Sequence, residues 1–195
     1  MKIGVVSDTH GYFDPHLPQL LQDVDEILHA GDVGSEAVLD QLRGIAPVQA
    51  VRGNIDSVAL GLEPAITHRF GGATIHVLHE LPKSQSALRD WAQAGSLEGK
   101  AAGHCRRFVE SFPTECDVVI FGHSHEPAAL ILGGKLFFNP GSAGKKRFSL
   151  PRCCGLLEIS AQGVRATFVG LERYNEDLPK GVHLPIGGAK AWGNF

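Results

Sequence analysis

Five short polar stretches carry the side chains of this chain that are best suited to chemistry: Asp8-Thr9-His10, Gly31-Asp32, Gly53-Asn54-Ile55-Asp56, His79-Glu80 and Gly122-His123-Ser124-His125. Carboxylate, amide and imidazole donors without a thiolate suit Mn, Fe, Zn or Ni rather than a structural zinc. Singly, each stretch says little. A Gly-Asp after an apolar run is more often a turn or a helix cap, and a lone histidine at a strand end is more often a satisfied core or surface residue. Together they say more, because each directly follows an apolar run. Seven donors result, namely Asp8, His10, Asp32, Asn54, His79, His123 and His125, which is too many for one ion. Two ions about 3.5–4 Å apart, sharing one carboxylate, would use them all. Spacing alone leaves open whether His123 and His125 serve one ion, two ions or only the surface.

The elements that must position these groups follow from periodicity. Lys2–Val6, Glu26–His29 and Pro47–Val51 read as strands, separated by helical patterns over Leu17–Gln22 and Ser35–Leu42, with Ser35 as N-cap. That alternation implies parallel strands joined by right-handed crossovers. From Ile66 the strands come closer together: Ile66–Phe70, Ala73–Leu78, Val118–Phe121, Ala128–Leu132, Lys135–Phe138, Cys154–Ile159 and Val164–Val169. Gly71-Gly72 and Gly133-Gly134 mark tight hairpins. Helices are expected over Ser84–Ala94, ending at Gly95, and over Cys105–Phe112. The donors then lie at the carboxyl ends of strands, where open αβ sheets bind ligands.

The bulk properties narrow the class. The 195 residues suit a single domain, with a helical insertion at about 82–112 and an irregular, Gly- and Pro-rich tail at about 171–195 that carries Trp192 and Phe195. A net charge of -3 gives no reason to expect nucleic acid or an anionic membrane as partner. The N-terminal apolar run is too short for a signal peptide, and no segment approaches the roughly 20 apolar residues of a membrane span. Cys105, Cys116, Cys153 and Cys154 form no CxxC pair and read as buried thiols of a cytoplasmic protein.

Taken in order, Asp8-x-His10, Gly31-Asp32, Gly53-Asn54-x-Asp56, His79 and Gly122-His123-Ser124-His125 resemble the calcineurin-like metallophosphoesterases, and within them the small bacterial and archaeal phosphodiesterase group. Asn139-Pro140-Gly141-Ser142, Arg147 and the strand Leu156-Leu157-Glu158-Ile159 match further features of that group, so the resemblance covers roughly residues 1–160. It implies an α/β fold, a four-layer αββα sandwich of two mixed β-sheets flanked by helices. It also implies two divalent ions, Mn first with Fe, Zn or Ni as alternatives. Asp8, His10 and His125 would hold one ion and Asn54, His79 and His123 the other, with Asp32 bridging. The implied chemistry is in-line attack of a metal-bound hydroxide on a small phosphodiester. Homo-oligomers are compatible with it, and no membrane is involved.

The sequence departs from that pattern in three places. Ile55 stands where larger relatives carry a histidine thought to protonate the leaving group, so esters with good leaving groups are the expected substrates. Glu80 replaces a usual glycine and is expected at the rim of the site. The 82–112 segment is long, and His104, Arg106, Arg107, Lys145, Lys146 and Arg147 could meet a substrate phosphate, although a solvated face is the simpler reading of each. Two other functions compete with this one. A protein or nucleotide-polyphosphate phosphatase could use the same centre, and a retromer-subunit-like scaffold would use the fold for protein contacts. All seven donor positions hold residues able to bind metal, which argues against the scaffold.

Overall fold

The computed structural model describes residues 1–94, 99–147, 149–172 and 178–186. Three parallel strands, β1 (Lys2–Val6), β2 (Glu26–His29) and β3 (Val48–Ala50), are connected by α1 (Leu17–Leu20) and α2 (Glu36–Arg43). Strand β1 also pairs antiparallel with β9 (Cys153–Ser160), which continues to β10 (Gly163–Gly170) and β11 (Val182–Leu184). The resulting sheet has the order β11-β10-β9-β1-β2-β3. A second sheet, ordered β4-β5-β6-β8-β7, contains β4 (Ala65–Phe70), β5 (Ala73–Leu78), β6 (Val118–Ile120), β7 (Ala128–Leu132) and β8 (Lys135–Asn139). Its centre, β5-β6-β8, is parallel, and its edges β4 and β7 run antiparallel.

Side-chain alternation builds the layers. In β1, Val5 enters the core between the sheets while Val6 packs outward on Leu17, Leu21, Val38 and Leu42 of the first helical layer. In the second sheet, Val118, Ile120 and Phe138 face inward. Val119 and Phe137 face outward onto Leu88 of α3 (Gln85–Gln93) and onto Cys105, Phe108 and Val109 of α4 (Gly99–Glu110). Both sheets are covered on both faces, which is why their central strands read as continuous apolar runs. The four-layer αββα sandwich expected from the sequence is the observed architecture.

Several boundaries differ from expectation. Helix α4 begins at Gly99, six residues before Cys105, because only its second half carries buried side chains. Ser35 occupies the N-cap of α2 in extended conformation but makes no capping hydrogen bond; Ser84 does cap α3, accepting from the Ala87 N–H. The tail is not wholly irregular, since β11 pairs with β10 and buries Leu184 in the inter-sheet core. Gly95, Trp192 and Phe195 lie outside the described residues. Both glycine pairs take positive φ (53° and 104°, 53° and 71°), as two-residue hairpins demand. No helix among the described residues is long and apolar enough to cross a membrane.

Candidate metal centre

The loops after β1, β2, β3, β5 and β6 bring all seven donors to one end of the sandwich, three loops coming from one sheet and two from the other. Close packing between these loops dictates the glycines before the donors. A Cβ on Gly53 would collide with the backbone nitrogen and carboxylate of Asp32, and one on Gly122 would collide with Ser7 Oγ. Five of the donor residues, Asp8, His10, Asp32, His123 and His125, hold left-handed backbone at φ 49–67°. Such a conformation costs about 1–3 kcal/mol each for non-glycine residues and clusters where function fixes the geometry. Freedom of the chain at His123 and His125 therefore comes from the histidines' own backbone, whereas Gly122 is needed for close approach.

The donors fall into two sets that meet on Asp32. On one side His10 Nε2 and His125 Nε2 lie 3.1 Å apart, and His125 Nε2 is 3.3 Å from Asp8 Oδ1. On the other, Asn54 Oδ1 is 3.0 Å from both His79 Nε2 and His123 Nδ1. Asp32 turns Oδ2 toward His10 Nε2, at 3.6 Å, and Oδ1 toward His79 Nε2, at 3.3 Å. Potential ligand atoms of Asp8, His10 and His125 lie within 4.8 Å of one another, as do those of Asp8, Asp32 and His79. His123 and His125 thus fan to opposite sides, with ring contacts to His79 and His10 respectively.

These side chains fit divalent cations. His79 donates Nδ1–H to the Ala30 carbonyl at 2.7 Å, the outer contact that commonly fixes a ligand imidazole. Its Nε2 then presents a lone pair to the oxygens of Asn54 and Asp32. Three acceptors converging in this way call for a positive charge between them. The His79 pKa reflects that demand: burial opposes protonation, but the Asp32 carboxylate and the Ala30 carbonyl outweigh it and raise the value. His10 is shifted the other way, by burial and by the Arg147 charge, against the pull of Asp32 and Asp8. Burial pushes the Asp32 pKa up, yet the neighbouring His79 imidazole and a hydrogen bond from the Ile55 N–H hold it down at about 2. Asp32 is therefore anionic at any working pH.

The remaining motif residues support the donors. Asp56 accepts from the N–H groups of Val33, Gly34 and Gly53, locking the loops after β2 and β3 together. Ser142 Oγ donates to the Asp8 carbonyl, and Ser7 Oγ donates to the Asp8 carboxylate at 2.6 Å. Glu80 is exposed at the rim, 3.6 Å from His123 Nε2, and its backbone does not require the left-handed region. Ile55 is half exposed beside the centre. Lys146 pairs with Glu172, Lys145 lies over the Tyr12 ring, and Arg147 is exposed; Arg152 is the anchored arginine, bonded to Asp14 and to the Gly144 carbonyl.

Sequence reasoning missed two supports. Gln85 at the start of α3 accepts from Ser124 and Asn139 and donates to the Glu126 carbonyl, tying the helix to the loop that bears His123 and His125. Fully buried His29 accepts from the Gly31 N–H and shares a hydrogen bond with Thr9, bracing the loops of Asp8 and Asp32. A cavity of about 380 Å³ opens beside His123, between Glu80–Gln85 and Phe121–Ser124.

Sandwich and donor cluster together define a metallophosphoesterase. The chain belongs to the calcineurin-like phosphoesterase superfamily, whose domain model matches residues 1–162. It is 30% identical over 159 residues to a probable metallophosphoesterase of Methanothermobacter thermautotrophicus, covering 77% of this chain and 82% of that protein. A probable metallophosphoesterase of Methanocaldococcus jannaschii is 34% identical over 162 residues, 78% of this chain and 71% of its own. Among solved structures, the E. coli phosphoesterase Yfce superposes with a TM-score of 0.64 at 21% identity, over 94% of this chain and 100% of that one. Entamoeba histolytica Vps29 complexed with zinc gives 0.64 at 21% identity, over 88% and 100%. Family membership and the donor clusters make the chain a metal-dependent phosphoesterase, while the two structural likenesses speak to the fold alone.

Proposed function

We propose that the chain hydrolyses phosphodiesters at a dinuclear centre, with Asp8, His10 and His125 on one ion, Asn54, His79 and His123 on the other, and Asp32 between them. The observation that carries this reading is the orientation of Asp32, whose two oxygens face the two imidazole sets separately. Mn²⁺ is the expected ion, with Fe, Zn or Ni able to use the same donors. Bound ions would supply Lewis acidity, charge neutralisation on the phosphoryl oxygens and a lowered water pKa. The chain's own residues supply position. Ser7 and the His123 N–H fix the Asp8 carboxylate, Ala30 fixes the His79 tautomer, and Asp56 clamps the loop of Asn54. We read residues 1–195 as one domain, and the four free, buried cysteines fit a reducing cytoplasm.

No proton donor stands at position 55. Ile55 contributes only its N–H, to Asp32 Oδ1 at 3.1 Å. Leaving-group departure should then depend steeply on leaving-group pKa. The test is turnover of bis-p-nitrophenyl phosphate with added Mn²⁺, followed by a series of phenyl esters of graded leaving-group pKa. A flat series would reveal a general acid. Absence of Mn²⁺-dependent turnover above an Asp32→Ala control would favour a scaffold, and turnover confined to monoesters or nucleotide polyphosphates would favour a phosphatase.

A further inference from the structure

A second cavity, of about 460 Å³, lies between α3 and α4 and touches none of the seven donors. Ala87, Trp91 and Phe108 give it an apolar wall, and Lys83, His104 and Arg107 stand around it. Pro82 and Lys83 line both this cavity and the one beside His123, so the two adjoin at that dipeptide. Among the described residues no carboxylate lines the second cavity, although the chain as a whole carries a net charge of -3. Among the described residues neither Lys83 nor Arg107 enters an ion pair, so their charge is available to a ligand. Trp91 is half-buried, with its ring centroid 5.6 Å from that of Phe108, and Phe108 is itself held against Phe137 of the core. The aromatic surface is therefore fixed before any ligand arrives.

We infer that this cavity is a specificity subsite for a nucleoside carried by the phosphodiester. A flat base would lie against Trp91 and Phe108, and its carbonyl oxygens and the sugar hydroxyl would face Lys83 and Arg107, while the phosphate stays at the donor cluster. Aromatic surface with cationic neighbours and no carboxylate matches a nucleotide better than an aliphatic ester, which would use the wall but not the charges. A sugar phosphate would use the charges but not the wall. The inference rests on the phosphodiesterase reading for its substrate but not for its binding site.

The experiment has two arms. In the first, thymidine 5′-(p-nitrophenyl phosphate) and methyl p-nitrophenyl phosphate, which share a leaving group, are compared on the Mn²⁺-loaded chain. Trp91→Ala, Arg107→Gln and the space-filling Ala87→Leu should each raise KM for the thymidine ester about ten-fold with kcat nearly unchanged. The methyl ester, having nothing to place in the cavity, should keep its KM. Equal effects on both esters, or none on either, would overturn the subsite. In the second arm, thymidine 5′-monophosphate is titrated into a Trp192→Phe chain, with and without Mn²⁺, while Trp91 emission is followed. Saturable quenching that Arg107→Gln weakens supports the site even if no ester is turned over, an outcome that would reject only the catalytic reading. No quenching in either state overturns the site whatever the turnover.

Discussion

Asp32 is the residue whose two oxygens face the two donor sets separately, and the histidines after β6 turn to opposite sets. His125 faces Asp8 and His10, whereas His123 faces Asn54. Removing His125 should therefore lower occupancy chiefly at the first site, and removing His123 chiefly at the second. Asp32→Ala should lower both and cost more than about a hundred-fold in turnover. Metal content of the desalted variants, alongside ester turnover, checks the assignment, and equal loss of both ions from either histidine variant would refute it. His29 makes a different prediction. Its burial depresses the folded pKa from 6.5 to about 4, so between those values the unfolded chain binds the proton that the folded chain refuses. Stability from this group is complete above pH 6.5 and lost as pH falls toward 4, amounting to about 3 kcal/mol. Urea midpoints from pH 7.5 to 4.5 should fall accordingly, and His29→Gln should flatten that part of the profile. The convergence of these seven side chains was legible in the sequence because each follows an apolar strand, at the end where the fold brings the loops together. His29 was not, because it lies within a strand and acts on atoms of two separate loops.

Helix α3 is the element that couples the sandwich's outer layer to the centre. Gln85 presents one carbonyl oxygen to both Ser124 and Asn139, and Arg89 reaches Glu126 on the same loop. Asn139 also donates to the Gly122 carbonyl, so the loop is held from two elements, α3 and the end of β8. Gln85→Leu keeps most of the volume but strands the Glu126 carbonyl and takes the acceptor from the Ser124 hydroxyl, while Asn139 keeps its Gly122 and Ser124 partners. The expected cost is about 1–3 kcal/mol of stability. Ion affinity should fall roughly 10–100-fold, as for outer supports of metal ligands. Equilibrium unfolding and Mn²⁺ titration measure the two effects, and unchanged affinity would show that the helix packs beside the loop without positioning it. Strands were easier to read than this coupling. Apolar runs and paired glycines mark β4–β5 and β7–β8 directly, whereas Gln85 looks like an ordinary polar residue in the first turn of a helix. Strand β11 escaped notice because Val182-His183-Leu184 is short and has Gly and Pro around it, and only pairing with β10 makes it a strand. The first half of α4 escaped because it lacks the apolar spacing that Cys105, Phe108 and Val109 supply to the second half.

At the scale of the whole molecule the centre is a joint between two sheets. Asp8, Asp32 and Asn54 follow strands of one sheet, and His79, His123 and His125 follow strands of the other. Between the sheets lies an apolar core, with Val5 and Leu28 on one side and Ile120 and Phe138 on the other, so separating the sheets would expose that core and break both donor sets at once. Bound cations should therefore stabilise the entire fold rather than a local loop. For an ion present at a hundred times its Kd, linkage gives about 2.7 kcal/mol per site. In a chain of this size that corresponds to a rise in Tm of roughly 5–11 °C for each site filled. Thermal unfolding with Mn²⁺ and with chelator should show one cooperative transition displaced as a unit. The same comparison on Asp32→Ala should show a much smaller displacement, because the carboxylate that faces both imidazole sets is gone. A shift confined to part of the transition, with the rest insensitive to metal, would mean that the ions bind to one sheet's loops and do not bridge the sandwich.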